Sequence, residues 1–516
     1  MAELILGAVA FGVATPGVIL AFAECGEYIQ KRVQTFKNAP AIIEELGRFG
    51  RDLHQVQIKI NLELAEWASS LEDVDPVVKA SIGDYITKLR TVLIEVEHCL
   101  SSMVDKDGQL RRFYFTVVVE RKAQHIVKNL KSWQVDFFNV IHLIEPKRRV
   151  LPSDVSLPWN RYRPKSCSRM PARPDLLVGT AEIIRDNYAT AISVLVEQKE
   201  IHDENTVSNI REVAAILASR SYANASGGGI LKCLGYRLQD QQDRSQGYEL
   251  VFELPTNAPK LRVLNEAIMA DQGAGSGVRH SLDSRYRLAR QLCDIVFSVF
   301  ASGLVHKNIR TNTILLAVED DNNSSSNNNN SNKSLPTTPP TPELGNPYLT
   351  TWTLLRKAAS LTSGPGAPGT HSDLYRHPKR QGIQPEQRYN FGHDLYSLGG
   401  VPAGGGAVGA VPRAVVVVVV VRKRKRRGGI GIGPVQERGG AAAPRRRTTC
   451  AQRRAAALAR TEMPRRLGTA YAELVVACLT CLEGGMGDAE CFRKSRPEAA
   501  IRFNDFVSQS FAFTSM

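Results

Sequence analysis

The sequence predicts a multidomain protein in which an N-terminal all-α helical bundle is followed by an α+β domain. Over roughly the first 145 residues, apolar side chains recur every three or four positions, which is the period of amphipathic helices. From about residue 176, β-branched runs alternate with helical stretches, which indicates mixed strands and helices. A chain of 516 residues is also long enough for more than one hydrophobic core.

The first segment, MAELILGAVAFGVATPGVILAFAECGEYIQKR, has no charged residue between Leu4 and Ala23. This span is about as long as a helix that crosses a bilayer. Three interpretations remain open. A secretory signal would need basic residues before the apolar run, where only Glu3 is charged. A transmembrane helix is weakened by the glycines and the proline of the segment, and the same small residues suit a buried first helix of a bundle.

Three further helices are predicted before residue 145. Helical spacing in AIIEELGRFGRDLHQVQIKINLELAEWASSL is shown by Ile42, Leu46, Phe49, Leu53, Val56, Ile60 and Leu64. The next helix starts near Pro76, with Asp75 as its cap. A fourth lies in RRFYFTVVVERKAQHIVKNLKSWQVDFFNVIHLI, where β-branched residues obscure its start. Four helices over this length predict a bundle.

The blocks MAELILGAVAFGVATPGVILAFAECGEYI and LGRFGRDLHQVQIKI resemble the fungal HeLo domain, the helical module of the HET-s type prion-inhibition and propagation proteins. The resemblance covers about residues 1 to 145 and implies a bundle that self-associates and expels its apolar segment into a membrane. Such domains act in regulated cell death and heterokaryon incompatibility. The candidate membrane-inserting residues are then Leu4, Ile5, Val9, Phe11, Val13, Val18, Ile19, Leu20 and Phe22. A plain helical interaction bundle is the alternative.

A proline-rich stretch over residues 146–175 predicts an extended tether between domains. Beyond it, AISVLVEQKEI predicts a strand, NIREVAAILASR a helix, and ILKCLGYRLQD and GYELVFELP two further strands. A long amphipathic helix then places Leu288, Leu292, Ile295 and Val296 on one face and leads into LVHKNIRTNTILL.

The stretch LVHKNIRTNTILL, residues 304–316, resembles the catalytic loop of protein kinases, H-R-D-L-x-x-x-N. His306 matches the histidine, but Asn308 stands at the catalytic aspartate and Thr313 at the metal-binding asparagine. HDLYSLGG, residues 393–400, resembles the D-x-W-S-x-G block of the same family, with Asp394 as its structural anchor. Residues 176–516 therefore resemble a divergent protein-kinase-like bilobal domain of the kind fused to HeLo modules.

Phosphoryl transfer needs a phosphate cradle, a lysine, a base and metal-binding groups. No G-x-G-x-x-G occurs near the start of the domain, and no acid lies between Glu343 and Asp373, where D-F-G is expected. Glu197 stands near the position of the lysine, so Lys199 is only a weak candidate for cofactor binding. The sequence therefore predicts a pseudokinase without catalytic residues, metal or cofactor. An active atypical Ser/Thr kinase that binds ATP with magnesium and a non-catalytic scaffold are the alternatives.

Two inserts interrupt the domain. Residues 319–345 are rich in Asn, Ser and Pro and predict a disordered loop. Residues 400–458 consist mainly of Gly, Ala, Val, Pro and Arg, all with GC-rich codons, and suggest a frameshifted or mis-spliced translation. Residues 401–460 hold fourteen Lys and Arg against one acid, Glu437, and so supply thirteen of the fifteen net positive charges. No nucleic-acid partner is therefore expected.

Nine cysteines scattered through a large chain predict reduced thiols and a cytoplasmic protein. Cys478, Cys481 and Cys491 lack a fourth ligand for zinc, and the spacing of the first two suits a helix that faces a core. The function predicted overall is regulated fungal cell death, in which the pseudokinase restrains the membrane-active segment until it is released. The trigger and the protein partner are not encoded in any motif.

Overall fold

The computed structural model divides the chain into two units, Met1–Lys147 and Arg148–Met516. The structure describes residues 75–102, 120–143, 156, 162–171, 173–185, 188–200, 204–219, 222–223, 229–239, 247–255, 260–273, 280–318, 344–352, 356–357, 375–381, 385–400 and 463–511, with isolated positions at 44, 47–48 and 452–461. The candidate membrane-inserting residues between Leu4 and Phe22, the helix predicted from Ile42 and the insert at 401–451 lie outside the described residues.

The first unit contributes two described helices, α1 (Pro76–Ser102) and α2 (Glu120–His142). Helix α1 begins as predicted, because the side chain of Asp75 accepts a hydrogen bond from the Val77 amide at 2.9 Å. The two helices pack together through buried apolar side chains, and Trp133 Nε1 donates to the Tyr85 carbonyl at 2.6 Å. Among the described residues, no helix combines the length and the apolar content that crossing a bilayer requires.

The second unit begins with a curled antiparallel sheet. Its strands are β1 (Tyr162–Pro164), β2 (Ser168–Met170), β3 (Arg173–Arg185), β4 (Tyr188–Glu200), β7 (Cys233–Gln239) and β8 (Gly247–Glu253). The order is β1-β3-β4-β8-β7, and β2 also pairs with β3. Alternate residues of β3 and β4 share one face of the sheet and, with one residue of β8, form a buried cluster of Ala181, Ile183, Val194, Val196 and Val251.

Helix α3 (Glu204–Ser219) follows β4 and contacts β7. A second sheet consists of β5 (Tyr222–Ala223), β6 (Gly229–Ile230), β9 (Lys260–Val263), β11 (Ile314–Val318) and β12 (Asn346–Leu349). The order of its strands is β5-β6-β12-β11-β9. A two-stranded ladder joins β10 (Leu304–Val305) to β13 (Arg356–Lys357), and α4 (Leu264–Gly273) continues directly from β9.

Helix α5 (Leu282–Ala301) is the long amphipathic helix that the sequence predicts, and Leu288, Leu292, Ile295 and Val296 are all buried. It leads into β10 and so positions the loop that follows. The remaining helices are α6 (Phe391–Gly399), α7 (Pro464–Leu467), α8 (Thr469–Thr480), α9 (Ala489–Arg493) and α10 (Pro497–Phe511). Helix α6 packs against α5 through stacked rings of Phe300 and Phe391, whose centroids are 4.1 Å apart.

The predicted fold class, an N-terminal all-α helical bundle followed by an α+β protein-kinase-like bilobal domain, is wrong for the described residues. These residues form a curled antiparallel sheet with a few helices, and only α1 and α2 represent the expected bundle. Apolar spacing identifies the buried face of a helix but does not specify how many partners cover it. The proline-rich stretch predicted as a tether also contributes β1 and β2 to the sheet.

Candidate functional site

The loop from His306 to Thr313 joins β10 to β11 in the second unit. Helix α5 ends at Ala301, and Gly303 reverses the chain with a φ of 74°. Lys307 also has a positive φ, 66°, which a residue with a Cβ adopts only at an energetic cost. Contacts from outside the loop must therefore hold this backbone in place.

Asp394 supplies those contacts from the first turn of α6. Its Oδ2 accepts a hydrogen bond from the His306 amide at 2.7 Å, and its Oδ1 accepts from the Lys307 amide at 2.9 Å. The Tyr389 hydroxyl donates to the same Oδ1 at 2.6 Å. Burial raises the pKa of Asp394 to about 6, although these three donors favour the charged form. The carboxylate is thus committed to the loop.

The side chain of His306 is fully buried and packs edge-on against Trp352, with ring centroids 5.0 Å apart. Burial lowers its pKa to about 3, against an opposing effect of the Thr350 backbone. A histidine with this pKa is neutral at physiological pH and has no access to solvent. Its burial and its contact with Trp352 suit a role in packing.

Asn308 and Thr313 occupy the two positions where the kinase motif would carry its base and its metal ligand. Thr313 is buried, and its Oγ1 donates towards the carbonyls of Asn308 at 2.6 Å and Arg310 at 3.0 Å. The same oxygen accepts from the Arg310 amide at 3.1 Å. Thr313 therefore closes the turn through its own hydroxyl, and an amide at Asn308 has no basic lone pair for proton abstraction.

Glu197 lies on β4 and is 2% exposed. Its two carboxylate oxygens accept hydrogen bonds from the amides of Thr351 at 2.6 Å and Trp352 at 3.0 Å. Burial raises the pKa of Glu197 to about 7, while the two amides and the nearby Arg173 guanidinium lower it. The sequence marks Glu197 only as the replacement of a lysine and does not show that it anchors another loop.

Arg173, at the start of β3, was not singled out from the sequence. Its Nη1 donates to the Asn312 carbonyl at 2.5 Å and its Nη2 to Thr351 Oγ1 at 2.9 Å. Its Nε and Nη2 also form a two-point contact with the Asp175 carboxylate at 2.8 and 2.7 Å. The partners at Asn312 and Thr351 are far along the chain, so local sequence carries no signal of these contacts.

Lys199, the weak cofactor-binding candidate, lies two residues beyond Glu197 on β4, and its backbone pairs with Tyr248 on β8. The structure describes the backbone of Lys199 and not the surroundings of its side chain. The carboxylates of Asp394 and Glu197 are both engaged by main-chain amides. The described part of this site therefore has the means to fix two loops to the sheet and to α6, and both carboxylates are used for that purpose.

A separate group of possible metal ligands within the described residues consists of Asp488, Cys491 and Glu498. Burial raises the pKa of the Cys491 thiol to about 11, and Glu498 is paired with Arg502 at 2.7 Å. Cys481 is a buried thiol whose Sγ lies 3.4 Å from the Gly392 carbonyl. The Glu498 carboxylate is therefore shared with a guanidinium, and the three ligands among the described residues are one fewer than a structural zinc site uses.

No protein-family model matches the chain, and no curated protein matches it. Function is therefore inferred from the geometry of the loop from His306 to Thr313 and from the sequence resemblances.

Proposed function

We propose that this chain is a non-catalytic signalling protein with a pseudokinase module, whose loop at residues 304–316 keeps the frame of a kinase catalytic loop without its chemistry. One observation carries the proposal. The Asp394 carboxylate binds the amides of His306 and Lys307, so the loop is firmly held although Asn308 replaces the catalytic acid. A loop that is held but has no base suits a structural role.

The remaining groups around the loop support the same proposal. Glu197 has the wrong charge to bind a phosphate and is bound to the amides of Thr351 and Trp352. Thr313 uses its hydroxyl within the turn. A magnesium ion that bridges two phosphates needs carboxylate or amide oxygens directed at it, and neither Thr313 nor Glu197 offers a free one.

The competing proposal is an active atypical Ser/Thr kinase that uses Lys199. Purified full-length protein is tested for binding of ATP with magnesium and for phosphoryl transfer to a generic protein substrate. We expect no transfer above a protein-free control. Turnover that is lost in Lys199→Ala but kept in Lys260→Ala, an exposed lysine on β9, would establish the kinase instead.

The proposal extends to a role in fungal regulated cell death or heterokaryon incompatibility. It is supported by the resemblance of residues 1–29 and 46–60 to HeLo modules. In this proposal the protein is cytoplasmic at rest, self-associates through its N-terminal region and then acts on membrane lipid. A scaffold without a membrane step is the alternative.

Leakage of dye from liposomes distinguishes these two roles. Residues 1–147 are added to vesicles that contain anionic lipid, and we expect release that is abolished by Val13→Asp. The matched control is Val77→Asp, because Val77 is already 40% exposed on α1. Absence of release from the unsubstituted fragment, or equal release from Val13→Asp, would favour the scaffold.

A further inference from the structure

The contact between Arg173 and Asp175 has the geometry of anion recognition. Two nitrogens of the planar guanidinium meet two oxygens of one carboxylate at 2.8 and 2.7 Å. The same paired arrangement of donors binds phosphate, which is why arginine is common in phosphate sites. The pair lies only two positions apart at the start of β3, so the chain provides both the receptor and its own anion.

The two partners differ in their access to solvent. The Arg173 side chain is 10% exposed, whereas the Asp175 side chain is 35% exposed. Arg173 is fixed from behind by the Asn312 carbonyl and by Thr351 Oγ1. The guanidinium is therefore held by contacts with two loops, and the carboxylate is the more exposed partner of the pair.

Further positive charge surrounds this pair. Arg310 lies in the loop between β10 and β11, and its pKa is lowered by burial first and then by the charges of Arg173 and Arg376. The buried Nε of Arg310 has no hydrogen-bond acceptor among the described residues. Tyr375 and Asp175 act in the opposite direction and favour the charged form of Arg310. Arg173 and Arg310 therefore both lie near the Asp175 carboxylate.

We propose that Arg173 and Arg310 form a binding site for a phosphate-class anion, and that Asp175 occupies this site in the resting protein as a built-in competitor. An incoming anion takes over the paired donors of Arg173, while Asp175 rotates into solvent. No bond is made or broken other than hydrogen bonds and ion pairs. The proposal does not depend on the proposed function, because it requires neither a nucleoside nor phosphoryl transfer.

The built-in competitor makes a clear prediction about affinity. Asp175 is tethered two residues from Arg173, so its effective concentration is high and an external anion binds weakly to the unsubstituted protein. Removing its charge should expose the guanidinium without disturbing the contacts to Asn312 and Thr351. The expected effect is an increase in anion affinity of tenfold or more in Asp175→Asn.

The experiment is calorimetric titration of the full-length protein with inorganic pyrophosphate at fixed ionic strength. Unsubstituted protein, Asp175→Asn and the double variant Asp175→Asn with Arg173→Gln are compared. The matched control is Glu182→Gln, which removes the same charge from the same strand at an ion pair with Lys165. We expect tighter binding in Asp175→Asn alone and its loss in the double variant.

Two outcomes would overturn the proposal. Asp175→Asn could bind pyrophosphate no more tightly than Glu182→Gln, which would show that Asp175 does not compete. The double variant could keep the gain, which would show that the anion binds elsewhere. If Arg173→Gln does not fold, Arg310→Gln replaces it in the double variant and should reduce the gain for the same reason, and a gain that survives this change counts against the site.

Discussion

The Asp394 carboxylate accepts hydrogen bonds from three donors and is almost fully buried, so substitutions of this residue should strongly affect stability. Replacing it with alanine would leave the buried amide of His306 and the partly buried amide of Lys307 without this acceptor. Each buried donor that loses its partner costs about 1–3 kcal/mol, so we expect Asp394→Ala to lower the free energy of unfolding by about 2–5 kcal/mol.

Urea unfolding followed by far-ultraviolet circular dichroism measures this change. The control is Asp283→Ala, an exposed aspartate in the first turn of α5, for which we expect a loss of about 0.5 kcal/mol. Equal losses in the two variants would show that the contacts of Asp394 do not stabilise the loop.

Glu197 predicts a dependence of stability on pH. Its pKa is raised from an ordinary 4.5 to about 7, so the folded protein binds a proton more readily than the unfolded chain. Its contribution to stability is complete below pH 4.5 and is lost as the pH rises through 7. The loss over that range is on the order of 3 kcal/mol.

Glu197→Gln isolates this contribution, because glutamine does not titrate. We expect the free energy of unfolding of the variant, relative to the unsubstituted protein, to increase between pH 4.5 and pH 7. The comparison must be made between the two proteins, since the lowered pKa of His306 acts in the opposite direction below 6.5. A difference that stays constant with pH would contradict the assignment.

At the scale of elements, the short 3₁₀ turn Thr311–Thr313 depends on one hydroxyl. Thr313→Val keeps the shape of the side chain but removes its contacts with Asn308 and Arg310. We expect a loss of about 1–3 kcal/mol in the free energy of unfolding by urea, because the partly buried Arg310 amide loses its acceptor. Thr190→Val, at an exposed position on β4, should change stability by no more than about 0.5 kcal/mol.

The sequence was sufficient for elements with strong local signals. The apolar spacing of α5 and the capping aspartate of α1 both have direct counterparts in the structure. Strands β1 and β2 were not predicted, because they are three residues long and lie in a proline-rich stretch. Proline is tolerated at the edge of a sheet, where its missing amide removes no ladder bond, so composition alone did not separate a tether from an edge strand.

The candidate site was predictable only in part. Asp394 could be chosen as an anchor because its sequence block resembles a known motif. The roles of Arg173 and Glu197 could not be predicted from the sequence. Arg173 contacts Asn312 and Thr351. Glu197 contacts a residue that is more than 150 positions away in the chain. Such contacts arise from the tertiary fold, so no regular spacing of residues in the sequence indicates them.

At the scale of the whole molecule, the predicted fold class was wrong because local sequence patterns were used to predict how the helices and strands pack together. Helical periodicity and two short motifs specify faces and turns, whereas the number of packed neighbours depends on the complete chain. Two helices are described in the first unit. The described part of the second unit combines a six-stranded sheet, a five-stranded sheet and a two-stranded ladder with helices of different lengths.

The division of the chain at Lys147 and Arg148 leads to a further prediction. The second unit has its own buried core on α5, α6 and the sheets, so residues 148–516 should fold without the first unit. We expect the isolated fragment to show a cooperative thermal transition within about 5 °C of the corresponding transition in the full chain. A fragment without a cooperative transition would show that the two units fold only together.

Asp394 accepts hydrogen bonds from backbone amide groups, which every amino acid except proline carries in the same form. The two hydrogen bonds to residues 306 and 307 therefore do not depend on the side chains of these residues. A substitution at position 308 leaves both of these hydrogen bonds in place, so the stability that Asp394 provides does not depend on which side chain position 308 carries.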